Sequence, residues 1–388
     1  PAVKMKSKKV GAVDASRGGI IVAGGGTAGH LLPGIAVADE LVKRGWPREA
    51  VLFVGSSRGV ELEMVPAAGY GLVALSGRGL NGRRVSPQNL LNLAAIMWAI
   101  FRGSWIVRRR RPSVVLSLGG YAALPAGIGA VVFRVPLVLA EQNTAASAAN
   151  RLMTKFARAA AVPCAGTGLR NEVVTGNPVR QAVLRADRDG RSLRDGLGWP
   201  IDKPVIVVFG GSLGSRRINQ AVWEAVKVGD LPFIHHVVGR RDWQTLPKNL
   251  PANVMACEYD DDLPNAMAAS DLVVCRPGGS SVAEIALLGL PAVLVPLPNA
   301  PNDHQSRNAQ FLVDSGLAVS VPDEEFDGER FRDEIERMLM RFRSESDPDL
   351  ARRERSVGYR DATERVADLV MQHCLARCVP SDQKDEAL

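Results

Sequence analysis

Short apolar strand, glycine-rich turn, helix: the chain enters this unit at residue 20 and begins it afresh at residue 204. Residues 20–23 (IIVA) predict a strand that runs into Gly24-Gly25-Gly26-Thr27-Ala28-Gly29 and then a helix through Lys43. Further strands are predicted at 50–54, 113–118 and 136–140, the second followed by Gly119-Gly120 and the third ending at Glu141. In the second half, 204–209 leads into Gly210-Gly211-Ser212-Leu213-Gly214 and a helix, with later strands at 233–238, 254–256, 272–275 and 292–296. Short apolar strands alternating with helices imply parallel βαβ units. The expected fold class is therefore α/β: two Rossmann-like domains with parallel sheets facing a cleft. A length of 388 residues agrees with two domains, at roughly 100–200 residues each. The boundary is expected near 177–185, where a stretch rich in Asp, Arg, Gly and Pro begins. That divides the chain into an arm at 1–18, domains at 19–178 and 179–357, and a tail at 379–388. Residues 323–360 read as charged and helical.

Glycine turns after strands let backbone N–H groups approach a phosphate, and the helix that follows adds a favourable dipole. Gly24, Gly26 and Gly29 match GxGxxG. A dinucleotide site also needs an acidic residue at the end of the second strand, and here that strand runs out in Gly55-Ser56-Ser57. Arg58 could meet a 2′-phosphate, so an NADP-binding oxidoreductase stays open on the residues alone. A third loop, Arg276-Pro277-Gly278-Gly279-Ser280-Ser281, has Glu284 one turn into its helix. An exposed carboxylate there could bind two ribose hydroxyls while the loop amides hold a diphosphate.

The net charge of +7 favours an anionic partner. Its distribution is more informative. No Asp or Glu occurs from Met64 to Ala140, a stretch that holds Arg78, Arg83, Arg84, Arg102 and the run 108–111. Residues 89–107 are apolar over most of a helix and carry Trp98, Phe101 and Trp105, yet the run is too short to span a bilayer. An apolar surface ringed by arginine suits anionic lipid headgroups. Nucleic acid is not expected, for want of any basic motif interleaved with aromatics. The N-terminal residues are basic without an apolar segment behind them, so no secretory signal is expected. Cys164, Cys257, Cys275, Cys374 and Cys378 contain no CxxC pair and are read as reduced thiols.

The ordered set GGGTAGHLLPGIAVADEL, GGYAALPAG, EQNTAASAANR, GNPVR, GGSLGSRRIN, CRPGGSSVAEIALLGLPAVLVPLP, DHQSRNA and DATERVAD resembles the MurG family, the undecaprenyl-diphospho-muramoylpentapeptide N-acetylglucosaminyltransferases. The resemblance covers about 20–320 and 360–372. It implies the GT-B fold, with a C-terminal helix at about 358–378 packing back on the first domain. It implies inverting transfer of N-acetylglucosamine from UDP-N-acetylglucosamine to the 4-hydroxyl of a lipid-linked muramoyl pentapeptide, at the cytoplasmic face of the bacterial membrane. Cell-wall or division machinery would be its protein partners.

Position by position, the resemblance assigns Thr27, Ala28 and Gly29 to the loop facing the donor. Asn143, Arg180 and Ser212 become donor contacts. Asp260 falls where a backbone group reads the uracil. Gly279, Ser280, Ser281, Val282, Ala283 and Glu284 match the diphosphate and ribose segment, with Glu284 as ribose clamp. Gln305 holds the sugar hydroxyls, with His304 beside it. Tyr121, with the arginines and aromatics above, falls on the acceptor side. The chain departs from the family at Ala28, Ala140, Leu213 and Pro277, where Gly, His, Gln and Ser are common.

The chemistry needs a base for the acceptor hydroxyl and a holder for the leaving diphosphate. His30 is the first candidate base and Glu141 the second. Loop amides and Arg276 are the candidate holders. The run Asp260-Asp261-Asp262 reads as helix caps rather than metal ligands, so neither metal nor cofactor is expected. Another UDP-sugar enzyme of this architecture, such as a UDP-N-acetylglucosamine 2-epimerase or a transferase with a soluble acceptor, is the nearest alternative.

Overall fold

The computed structural model describes residues 18–76, 87–211, 213–342 and 356–374. Its first sheet contains β1 (Ile20–Ala23), β2 (Val51–Ser56), β3 (Gly71–Leu75), β4 (Val114–Ser117), β5 (Leu137–Ala140), β6 (Ala159–Val162) and β7 (Glu172–Val174), in the order 3-2-1-4-5-6-7. Its second contains β8 (Val205–Phe209), β9 (Phe233–Val237), β10 (Val254–Cys257), β11 (Leu272–Cys275), β12 (Ala292–Leu294) and β13 (Ala318–Ser320), in the order 10-9-8-11-12-13. All pairings are parallel. Both halves start in mid-sheet, wind to one edge, return beside their first strand and wind to the other. Connections diverge at β1/β4 and at β8/β11, and a doubly wound sheet has its ligand crevice at the carboxyl ends of such strands. The glycine loops leave β1, β4, β8 and β11, so every one of them lies at a switch point.

The central strands are apolar without alternation because helices cover both faces. In the first domain these are α1 (Ala28–Lys43), α2 (Glu61–Ala67), α3 (Pro87–Arg110), α4 (Leu124–Val132) and α5 (Ala148–Met153). In the second they are α6 (Gln181–Asp189), α7 (Leu193–Leu197), α8 (Arg216–Val228), α9 (Leu263–Ala269), α10 (Gly279–Leu288), α11 (His304–Asp314) and α12 (Gly328–Arg341). Ile20 and Val22 meet Leu31, Val37 and Leu41 of α1 on one face of the first sheet. Ile21 and Ala23 meet Val107 of α3 and Ala126 of α4 on the other. The last helix, α13 (Ala362–Gln372), returns to the first domain, where Val366, Ala367 and Val370 join the α1 side of the core. Arg44 of α1 pairs with its Asp368.

Two expectations need correction. β3, β6, β7 and β13 lie outside the predicted strands. The polar stretch at 185–203 holds the end of α6 and all of α7, and the buried Arg194 donates to Ala269 O (2.7 Å) and Asp271 Oδ2 (2.6 Å). Of 323–360, helix occupies Gly328–Arg341 and a single 3-10 turn at Asp323–Glu325 among the described residues. The arm, apart from Gly18, and the tail fall outside those residues.

His236 on β9 is fully buried, bonded through Nε2 to Asn219 Oδ1 (2.9 Å) and tilted against Trp223. Burial, aided by His235, pushes its pKa from 6.5 down to about 3. The unfolded chain therefore takes up this proton below pH 6.5 while the folded chain does not. Stability is lost as pH falls from 6.5, by up to about 2 kcal/mol at pH 5. Denaturant unfolding at pH 7 and pH 5 should show a smaller acid loss for His236→Gln than for the unmodified protein.

Candidate active site

β5 delivers the chain to a turn at 141–144 that joins the two domains. Glu141 is 3% exposed. Its Oε1 accepts from Asn143 N and Nδ2 (both 3.1 Å), and its Oε2 from Ser147 N (2.8 Å) and Asn150 Nδ2 (3.0 Å). Four donors fill the carboxylate, so Glu141 orders the turn and is not placed to take a proton from substrate; the expectation of a second base is corrected. Asn177 Nδ2 donates to Gln142 O (2.9 Å) and to Gly279 O (3.1 Å) across the domains. Asn308 of α11, 1% exposed, accepts from Thr144 N (2.9 Å) and Oγ1 (3.1 Å) and donates to Asn143 Oδ1 (3.0 Å) and Pro277 O (3.1 Å). Both ends of the Asn143 amide are therefore engaged within the protein. Gly279 is required here, because a Cβ would stand 2.3 Å from Gln142 O.

The first glycine loop holds a carboxylate of its own. Glu61, 0% exposed, accepts from Ser56 N (2.6 Å) and Gly26 N (2.9 Å). A Cβ on Gly25 or Gly59 would collide with the same group, at 2.5 and 2.0 Å. Glu61 thus answers one amide of the loop from within, while the first amides of α1, whose N-cap Thr27 makes no side-chain capping bond, are not taken by it. Of the amides in Gly24–Gly29 expected to approach a phosphate, that of Gly26 is therefore engaged within the protein. Sequence reasoning missed Glu61; the glycines at 55 and 59 that leave room for it were the available signal.

Thr27 stands at the N-cap position of α1, and its Oγ1 is 2.9 Å from His30 Nδ1. His30 is half-buried in the cleft. Burial lowers its pKa most, Glu141 opposes this and His304 adds to it, leaving it below the usual 6.5. Its imidazole is thus neutral at neutral pH. Beside it, Gly29 O accepts from Ser280 Oγ (2.9 Å), so the loops of the two domains touch across the cleft. Ala28 opens α1.

On the second domain, α10 starts at Gly279 behind Gly278, which offers no capping side chain. The first amides of the helix, at Gly279, Ser280 and Ser281, carry its positive end. Glu284 was expected exposed; it is 6% exposed, and Arg180 Nε and Nη2 both lie 3.0 Å from its Oε1. Val282 is in the core and Ala283 packs on it, so those side chains face protein. Asp260 was read with its neighbours as caps. It accepts from His235 Nε2 (2.9 Å) and from Asp262 N (2.8 Å), while Asp262 takes the N-cap position of α9 without a side-chain capping bond. Burial opposes ionisation of Asp260, but these bonds and the charges of His235 and Arg180 outweigh it and its pKa falls.

Arg276 also departs from expectation. It pairs with Asp323 (2.5 Å) and donates to Val295 O (2.9 Å) and Pro296 O (3.0 Å), tying strand ends together rather than facing a diphosphate. His304 Nδ1 donates to Pro301 O (2.8 Å), and Gln305 Oε1 accepts from Leu297 N (2.8 Å). Their loop holds three non-glycine residues at positive φ, Asn299 (58°), Asn302 (56°) and Asp303 (51°), a conformation that stores strain. Ser212, Arg78, Arg83 and Arg84 lie outside the described residues.

α3 is two-faced. Ala99, Ile106 and Val107 point into the domain, while Met97, Trp98, Phe101 and Trp105 are exposed. Trp98 stacks on Phe101 with centroids 5.6 Å apart, and the Arg109 guanidinium lies 5.1 Å over Trp105. Tyr121 Oη donates to Ser56 Oγ (2.7 Å) at the carboxyl edge of the first sheet. No helix among the described residues is long and apolar enough to cross a membrane.

The glycosyltransferase family 28 N-terminal domain matches residues 20–162, and the family's C-terminal domain matches 205–366. Curated UDP-N-acetylglucosamine–N-acetylmuramyl-(pentapeptide) pyrophosphoryl-undecaprenol N-acetylglucosamine transferases are similar along their length. That of Anaeromyxobacter dehalogenans is 36% identical over 91% of this chain and 92% of its own, and that of Burkholderia ambifaria 36% over 91% and 95%. The crystal structure of Acinetobacter baumannii MurG superposes with a TM-score of 0.69 at 25% identity, covering 92% of this chain and 99% of that one. A UDP-GlcNAc 2-epimerase from Neisseria meningitidis shares the fold at 15% identity and a TM-score of 0.63. Two doubly wound domains closing on a cleft between switch-point loops are the GT-B arrangement, and the family match to both halves makes the chain a glycosyltransferase of that class. The chain belongs to glycosyltransferase family 28, among the MurG transferases.

Removing the Glu61 carboxylate orphans two buried amides. Glu61→Ala should cost about 2–4 kcal/mol of stability in denaturant unfolding. NADPH should give no absorbance shift with the unmodified protein.

Proposed function

We propose that the cleft moves N-acetylglucosamine from UDP-N-acetylglucosamine to the 4-hydroxyl of the muramoyl sugar of undecaprenyl-diphospho-muramoylpentapeptide, with inversion. The observation that carries this reading is the meeting of a neutral imidazole and an uncapped helix start across the Ser280–Gly29 bond. With its proton on Nδ1 donated to Thr27 Oγ1, His30 keeps Nε2 as an acceptor. Nε2 takes the proton of the acceptor hydroxyl as its oxygen attacks the anomeric carbon. The bond from that carbon to the diphosphate breaks from the opposite face, and UDP leaves. The amides at the start of α10 hold the departing charge, where the dipole of the helix favours it.

Arg180 bonds Glu284 through Oε1 alone, an arrangement that leaves Oε2 for two ribose hydroxyls. His235 steadies Asp260, whose backbone is assigned to the uracil. Gln305, fixed by Leu297 N, presents its amide NH2 to the sugar. Ser212 is assigned to the donor and Tyr121 to the acceptor side. The outer face of α3, with Arg78, Arg83 and Arg84, docks on the anionic cytoplasmic surface of the membrane, which brings the cleft to a lipid-linked acceptor as a peripheral protein.

Three outcomes are expected. Label from UDP-[14C]N-acetylglucosamine enters butanol-extractable lipid, and His30→Ala cuts kcat by ~10²–10⁴ with little change in donor affinity; Glu284→Ala raises donor Kd by ~10–100-fold. Unchanged turnover in the first variant would remove His30 as base. In pH profiles, kcat/KM falls through a one-proton acid limb centred below 6.5, the side to which the His30 pKa is displaced, and the limb is lost in His30→Ala. Finally, the unmodified protein sediments with anionic liposomes at low salt, whereas alanines at Trp98, Phe101 and Trp105 abolish this; equal sedimentation would reject the membrane face.

A further inference from the structure

His235 lies on β9 beside β10 and is 6% exposed. Its ring tilts against Trp199, with centroids 5.1 Å apart, and its Nδ1 is buried without a partner. Nε2 reaches the loop that follows β10, where it donates to Asp260 Oδ2 (2.9 Å); Cys257 Sγ, 4.0 Å from the same nitrogen, is a distant second. The other carboxylate oxygen, Oδ1, accepts from Asp262 N (2.8 Å). Both oxygens of Asp260 are therefore tied back into the protein, and its side chain is mostly buried. The backbone N–H of Asp260, in contrast, has no bond among the described residues.

These two ends of one residue offer opposite chemistry to a base. A backbone N–H donates, and so suits the O4 of uracil. A carboxylate only accepts, and so suits the N4 amino group that cytosine carries at the same place. Which end meets the base depends on what holds the carboxylate. We propose that His235 sets the choice of nucleobase: it ties the Asp260 carboxylate back against β9, leaves only the N–H of that residue to face the base, and so favours uracil over cytosine. The assignment rests on the UDP donor proposed above, with its uracil at Asp260. Without the imidazole, the carboxylate would stand unpaired beside an apolar core, a place that a charge avoids. Arg180, whose charge acts on Asp260, stands beside Glu284 in the cleft and would draw the carboxylate toward the base. His235 touches no substrate in this scheme; it is a positioning residue that acts through Asp260.

Affinities for UDP and CDP, measured by calorimetry on the unmodified protein and its variants, test this. The unmodified protein should bind UDP ~10–100-fold more tightly than CDP, as one good base contact allows. His235→Leu keeps an apolar side chain against Trp199 but cannot donate. In it UDP should bind ~10-fold more weakly and CDP more tightly, so that the preference is lost or reversed. In His235→Gln, whose amide nitrogen can take the place of Nε2, the preference should return. Adding Asp260→Ala to His235→Leu should take away the gain in CDP affinity. His235→Ala replaces the leucine variant if that does not fold, with the same expectation. Equal affinity of the unmodified protein for UDP and CDP, an unchanged preference in His235→Leu, or a CDP gain that survives Asp260→Ala would overturn the assignment. No UDP binding by the unmodified protein would instead sink the donor reading, and the base assignment with it.

Discussion

The cleft depends on a buried carboxylate and two buried amides. Glu141 folds the turn after β5 around four N–H groups, and the turn then offers a carbonyl, an amide and a hydroxyl to the other domain. Asn308 uses both ends of its side chain there, and Asn177 uses its NH2 twice. A buried polar group left unpaired costs about 1–3 kcal/mol, so the bonds across the joint are worth most when all are made together. Gly279 completes the fit by having no side chain where Gln142 O approaches. His30, the start of α10 and Glu284 owe their mutual placement to this seam.

Apart from the added β7, the two domains share one strand order, and they differ in the glycine loops that face the cleft. In the first domain the amides at Gly26 and Ser56 are answered from within by Glu61, and the loop becomes a rigid platform for Thr27 and His30. In the second domain α10, like α1, starts without a side-chain cap, and its N-cap is a glycine.

Much of this was legible in the sequence. The strands at the switch points are uninterrupted apolar runs bounded by glycine, and they were found to within two residues. β6 is mostly alanine and β7 and β13 are three residues each, so these carry little of the apolar signal by which a strand is recognised, whereas β3, with four apolar residues after Gly71, carries it and was passed over. Site residues on motifs were located, but their partners were not. Glu284 reads as an exposed carboxylate until Arg180 is brought 104 positions along the chain to meet it. Arg276 follows a strand in the manner of a phosphate ligand, yet Asp323 takes it. Asn308 lies in a recognised motif, but its role exists only once α11 faces the turn at 141–144. These are long-range pairings, and neither local periodicity nor residue type encodes them.

The return of α13 to the first domain means that the backbone passes between the domains twice. The first passage runs through Gly176 to Arg180, and the second follows Ser356, where Ser356 Oγ, Val357 N and Gly358 N bond Ala286 or Leu287 of α10. The passages touch, since a Cβ on Gly176 would lie 2.5 Å from the Tyr359 side chain. Two adjacent tethers act mechanically as a pair of door hinges. They leave rotation about their common line soft and make sliding or twisting of one domain over the other stiff. Any turn of one domain against the other must therefore take the line through Gly176 and Tyr359 as its axis.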